Sequence, residues 1–176
     1  PLPALLETLV GVGLGADAAS RGELELVTAA GFDAAHRVLN GNGRTSEEAD
    51  WAAQHGVHSV NADHVAELDL LERVAARYDR TLRVALRVNP GIDTPGHRYV
   101  ATGDDEAKFG IAPAEALEAW SSRARWPHLH LDGLHIHVGS QLLDPEPLED
   151  AAGVAIALSE ESARRGAPLG LVNLGG

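Results

Sequence analysis

Residues 133–141 read G-L-H-I-H-V-G-S-Q. His135 and His137 stand two apart, so on a strand both imidazoles face the same way. Gly139 and Ser140 follow with backbone amides and a hydroxyl, donors suited to an oxyanion such as phosphate. A flat imidazole beside such donors points to a flat phosphorylated cofactor. The same residues also suit a core strand with one buried, satisfied histidine. A second glycine turn, Asn173-Leu174-Gly175-Gly176, ends the next strand-like run. Two such turns on consecutive strands favour a phosphate site, where bare Cα atoms let amides approach closely.

Three other groups are chemical candidates. Arg87, in L-R-V-N-P-G, closes an apolar strand, where a cation needs an anionic partner. That partner is either a bound anion or a strand-end acid such as Asp17. Asp17, closing G-L-G-A-D, is either an acid–base group or a cap for the helix that follows. Lys108 is the single lysine of the chain and lies in a loop-like stretch, either as a nucleophile or as a solvated amine. The nine histidines raise the question of metal, yet His135 and His137 have no third ligand at a recognisable spacing. No metal site is expected.

The elements that must position these groups alternate in period. Helical spacing of apolar residues covers 2–10, 21–30, 46–55, 64–78, 113–122 and 145–165. Ser20 with Glu23, Thr45 and Asp63 supply start signals. Strand-like runs fall at 14–18, 37–39, 58–61, 82–88, 130–138 and 171–174. Strict alternation implies a parallel sheet with right-handed crossovers. Polar or glycine residues follow every strand, as at the C-terminal face of a (β/α)8 barrel, whereas an open sheet gathers them at one switch point. The expected fold is therefore α/β: an incomplete (β/α)8 TIM-type barrel of about six units.

Composition narrows the classes. Hydrophobic residues make up 44% of the 176, typical of a globular chain. No apolar run is long enough to span a membrane. The formal net charge of -12 argues against a nucleic-acid partner. Cysteine is absent, compatible with a cytoplasmic protein. The chain has no methionine, opens Pro1-Leu2-Pro3 and closes Gly175-Gly176 after an apolar run. An internal piece of a longer protein is expected.

Taken together these motifs resemble the alanine-racemase-like barrel of the pyridoxal-phosphate group IV decarboxylases. The matching segments are G-L-G-A-D-A-A-S-R-G-E-L from Gly13, L-R-V-N-P-G-I-D from Leu86, Y-V-A-T-G-D-D-E-A-K-F-G-I from Tyr99, G-L-H-I-H-V-G-S-Q and N-L-G-G. They stand in family order over nearly the whole chain. The T-G-x-x-x-x-K-F-G element favours the diaminopimelate branch over ornithine or arginine decarboxylases.

The resemblance implies roles. His137 would stack on the pyridine ring of pyridoxal 5'-phosphate, and Ser140 would contact its phosphate, with Gly175 and Gly176 completing the cradle. Asp17 and Arg87 would organise the pocket. Lys108 would not be the Schiff-base lysine, which is expected upstream of Pro1. No catalytic residue is then expected in the chain itself. The acid that pairs the ring nitrogen, the substrate arginines and a C-terminal β-domain would lie beyond Gly176. Residues 1–176 would be the central part of the barrel domain, inactive alone. The implied reaction is decarboxylation of meso-2,6-diaminopimelate to L-lysine in a cytoplasmic homodimer. Another basic amino acid, such as arginine or carboxynorspermidine, and a non-catalytic cofactor-binding paralogue are the alternatives. At Asn40-Gly41-Asn42-Gly43-Arg44 the sequence departs from the family's usual H-G-N-N-K.

Overall fold

The computed structural model describes residues 3–91 and 109–175. Six helices, α1 (Pro3–Gly11), α2 (Arg21–Ala29), α3 (Ser46–His55), α4 (Ala66–Arg77), α5 (Pro113–Ser121) and α6 (Glu146–Arg164), alternate with six strands. The strands are β1 (Ala16–Ala18), β2 (Arg37–Leu39), β3 (Ser59–Ala62), β4 (Leu82–Arg87), β5 (Leu129–His135) and β6 (Leu171–Asn173). All pair in parallel, in the order β1-β2-β3-β4-β5-β6. A spatial order that follows the chain has no switch point. Successive right-handed crossovers then put every helix on one face, which is the curled sector of a barrel and not an open doubly wound sheet.

Local chemistry sets the element ends. The Ser20 hydroxyl accepts from Glu23 N, and Glu23 Oε2 accepts in turn from Ala19 N at 2.7 Å. Thr45 and Glu48 make the full reciprocal capping box at the start of α3. Asp63 does not cap α4. That helix begins at Ala66 after Val65, and the Asp63 carboxylate is drawn instead to Arg87 at 3.0 Å. Strand β5 ends at His135 rather than at 138. Its partner β6 stops at Asn173, and the last ladder bond is Ile136 N to Asn173 O at 2.8 Å.

Between the sheet and the helices lies the core, including Leu24, Leu39, Val60, Leu68, Leu71, Leu86, Trp120, Leu134 and Ile136. A smaller cluster of Leu6, Val27 and Phe32 holds α1. Among the described residues, no helix is long and apolar enough to cross a membrane.

One irregularity decides which way the histidines face. Val84 pairs with Leu131 but Ala85 pairs with Gly133, so Asp132 is an extra residue in β5. An inserted residue reverses the alternation of every side chain after it. Leu131 and Leu134 consequently both reach the helix-side core. With strict alternation, His135 and His137 would share the face of Leu131. The bulge turns them to the concave side, and Asp132 itself receives both Nε and Nη2 of Arg83, at 2.9 and 2.8 Å.

Candidate functional site

A cleft of about 490 Å³ opens on the concave side at the C-terminal ends of the strands. Register builds its floor. Arg87 of β4 stands beside His135 of β5, which stands beside Asn173 of β6, and all three line the cleft. Asp17 of β1 faces them across the volume, with Asn40 and Gly41 from the turn after β2. His137 and Gly175 complete the wall. The size suits a small-molecule ligand. A second cleft of about 500 Å³ lies outside, between α2 and α3, where Arg21 pairs with Glu25 and Asp50 with Arg77, away from the strand ends. The strand-end cleft is therefore the candidate.

Each charged group in it has a defined partner. Asn40 Nδ2 donates to Asp17 Oδ2 at 3.1 Å. Burial pushes the Asp17 carboxyl above its ordinary range, against the opposing pull of Asn40 and of the nearby His137. Arg87 donates from Nη1 to Asp63 and lies over the Phe109 ring, 5.4 Å from its centroid. The strand-end acid that holds Arg87 is thus Asp63, not Asp17. His135 is 1% exposed and its Nδ1 has no hydrogen-bond partner. Burial, then the charges of Arg87 and His137, lower its pKa to about 4, so at neutral pH it is an uncharged imidazole. The His135 and His137 rings lie 6.5 Å apart and 28° from parallel.

Gly175 matters for what it lacks. Its φ is +70°, and a Cβ there would fall 2.6 Å from His137 Nδ1 and 2.9 Å from Ile136 O. No residue with a side chain fits without displacing the imidazole. The Gly175 N–H is itself taken by Asn173 Oδ1 at 2.8 Å.

Of the residues singled out from sequence, the fold brings Asp17, Arg87, His137 and Gly175 together. Ser140 is exposed in the turn after β5 and does not line the cleft. Gly176 and Lys108 lie outside the described residues. Reading from sequence missed Asp63, whose position before a helix looked like a cap, whereas Asn40, Gly41 and Asn173, read there as strand-end residues suited to a site, do line the cleft. It named Arg44 only as the end of the departing segment, and not as the buried partner of Glu67. Among the described residues no group of three or more His, Cys, Asp or Glu could hold a metal ion.

The residues present fit a planar phosphorylated cofactor at its ring end. A bare glycine packs against an imidazole, a fixed guanidinium and a carboxylate face the same volume, and a buried ring nitrogen is left without a partner. Comparison with known proteins agrees. The model of the pyridoxal-dependent decarboxylase family's pyridoxal binding domain matches residues 1–176. The chain is 40% identical over 172 residues to a diaminopimelate decarboxylase of Neisseria meningitidis serogroup A, covering 98% of this chain and 42% of that protein. It is 41% identical over 172 residues to one of Pseudomonas aeruginosa, covering 98% and 41%. The solved diaminopimelate decarboxylase of Helicobacter pylori, complexed with L-lysine, superposes with a TM-score of 0.87 at 32% identity, over 97% of this chain and 43% of that one. The chain spans about two fifths of the length of the curated relatives it matches. Sequence, sheet order and cleft agree on one conclusion: the chain belongs to the pyridoxal binding domain family of the pyridoxal-dependent decarboxylases.

Proposed function

We propose that the chain is the central part of the barrel domain of a decarboxylase that converts meso-2,6-diaminopimelate to L-lysine and carbon dioxide with pyridoxal 5'-phosphate. The observation that carries this reading is the single cleft that gathers Asp17, Arg87, His137 and Gly175 from four separate strand ends. The similarity to named diaminopimelate decarboxylases over nearly the whole chain supports the choice of substrate. The rest of the barrel, a C-terminal β-domain, a homodimeric assembly and a cytoplasmic location belong to the same proposal.

When bound, pyridoxal phosphate supplies an electron sink for the pair left behind as carbon dioxide departs. The protein's part is to hold and orient. His137 offers a flat face, and Gly175, lacking a side chain, leaves that face accessible. Arg87, fixed on one edge by Asp63, brings a cation to the cleft. Asp17, restrained by Asn40, sets a carboxylate opposite. His135, uncharged at neutral pH, backs the wall without adding a positive charge. Ser140 and Gly176 are the donors proposed for the phosphate, while Gly175, its own N–H held by Asn173, serves as the bare turn beside His137.

The test is turnover by the full-length protein. Supplied with diaminopimelate and pyridoxal phosphate, it is expected to release carbon dioxide and lysine, and His137→Ala is expected to lower kcat/KM about a hundredfold through loss of positioning. Cofactor binding without lysine formation, or faster turnover of arginine or carboxynorspermidine, would overturn the assignment.

A further inference from the structure

Arg44 belongs to the segment that departs from H-G-N-N-K, and its side chain is 1% exposed. Nε donates to Glu67 Oε2 at 3.1 Å, and Nη2 donates to Asn61 O at 2.6 Å and, at the long limit, to Gly41 O at 3.4 Å. The second carboxylate oxygen of Glu67 continues the run, accepting the Asp63 N–H at 2.9 Å. The Asp63 carboxylate then receives Arg87 at 3.0 Å. Contacts therefore pass without a break from Gly41, on one wall of the cleft, to Arg87 on its floor. They cross the C-terminal ends of β2, β3 and β4.

A buried ion pair is a poor stabiliser, because desolvation offsets most of its attraction and apolar residues of the same volume do as well. What a charged, multiply bonded pair does provide is one defined geometry. Arg44 touches the backbone of two strand ends at once, and Glu67 fixes the residue that aims Arg87. Neither Arg44 nor Glu67 lines the cleft.

We propose that Arg44, acting through Glu67 and Asp63, is a positioning residue for cofactor binding that sets the orientation of Arg87 and the place of the Gly41 turn. The inference rests on the reading that this cleft takes pyridoxal phosphate. A lysine can keep the pairing with Glu67, but its donors all sit on one flexible nitrogen, whereas Arg44 reaches the carboxylate from Nε and the two carbonyls from Nη2 of one rigid plane. The arginine here is the stronger form of the device.

The experiment is a double-mutant cycle in the full-length protein. Pyridoxal phosphate affinity is measured by absorbance titration, and the Tm of the cofactor-free protein is measured alongside. Arg44→Met is expected to weaken binding about tenfold, in the range of coupling within a shared network. Arg44→Lys is expected to stay within about threefold of the parent. In an Arg87→Met background, Arg44→Met should cost no more than about threefold, the part that acts through the Gly41 turn, because the other group it positions is already gone. Glu67→Gln, which keeps the volume and removes the charge, should follow the same pattern and serves if Arg44→Met does not fold. Undiminished losses in the Arg87→Met background, or a lowered Tm with unchanged affinity, would show a purely structural pair and overturn the proposal. A parent protein that takes up no pyridoxal phosphate would overturn the functional reading as well.

Discussion

His135 and His137 differ by two positions and by most of their physics. His135 is sealed in and held to a pKa of about 4 by burial, Arg87 and His137. In the unfolded chain it titrates near the ordinary 6.5. Between those values the unfolded state binds the extra proton, so stability rises with pH across the window. The contribution is complete above about pH 6.5 and lost as pH falls towards 4. It amounts to about 3 kcal/mol for a shift of this size. His135→Gln is expected to flatten the pH dependence of urea unfolding between pH 4 and 6.5. An unchanged slope in that variant would mean that His135 is already charged in the folded protein. The sequence named both rings but not this difference, because burial of one ring depends on strands β4 and β6 on either side of it. For the same reason Asp63 was legible as a helix start signal and not as the partner of Arg87.

At the scale of elements, β5 and the residues just after it supply both histidines of the site, and its pairing with β4 is the longest ladder in the sheet. A Cβ on Gly133 would lie 2.5 Å from Ala85 Cβ and 2.6 Å from Ala85 Cα. Neither atom can yield without moving β4. Trp120, fully buried on α5, donates its ring N–H to Gly133 O at 3.3 Å and closes the other side. Gly133→Ala is expected to destabilise by about 3 kcal/mol, the upper range for overpacking. It should also lower cofactor affinity, since His135 follows two residues on. Chemical denaturation and a cofactor titration check the two halves, and a loss below about 1 kcal/mol would show that the strands separate easily. Alternation of helix and strand was legible because apolar spacing switches cleanly between two periods, as Leu68, Leu71 and Val74 show on α4. The bulge at Asp132 was not legible. Nothing local in L-H-L-D-G-L-H-I-H marks an extra residue; it emerges from the pairing of Ala85 with Gly133 and of Arg83 with Asp132.

For the molecule as a whole, sheet order decides both the site and its weakness. Sequential parallel pairing gathers the strand ends on one rim, and among the described residues it leaves β1 and β6 paired on one side only. Unpaired strand edges invite pairing with another chain. The apolar side chains near them are open to solvent: Leu14 before β1 is 53% exposed and Val172 on β6 is 48% exposed. A formal charge of -12 works against association through mutual repulsion, which salt screens over about 10 Å at 0.1 M. Expressed by itself, the 176-residue chain is therefore expected to self-associate, and to do so more strongly as salt is raised. Sedimentation velocity at 0.02 and about 0.5 M salt reads this directly, the two conditions bracketing strong and weak repulsion. Association that weakens with salt would point to ion pairing and not to apolar strand edges. A monomer at both salt levels, unfolding in one cooperative step, would show that the six-stranded sector closes its own edges.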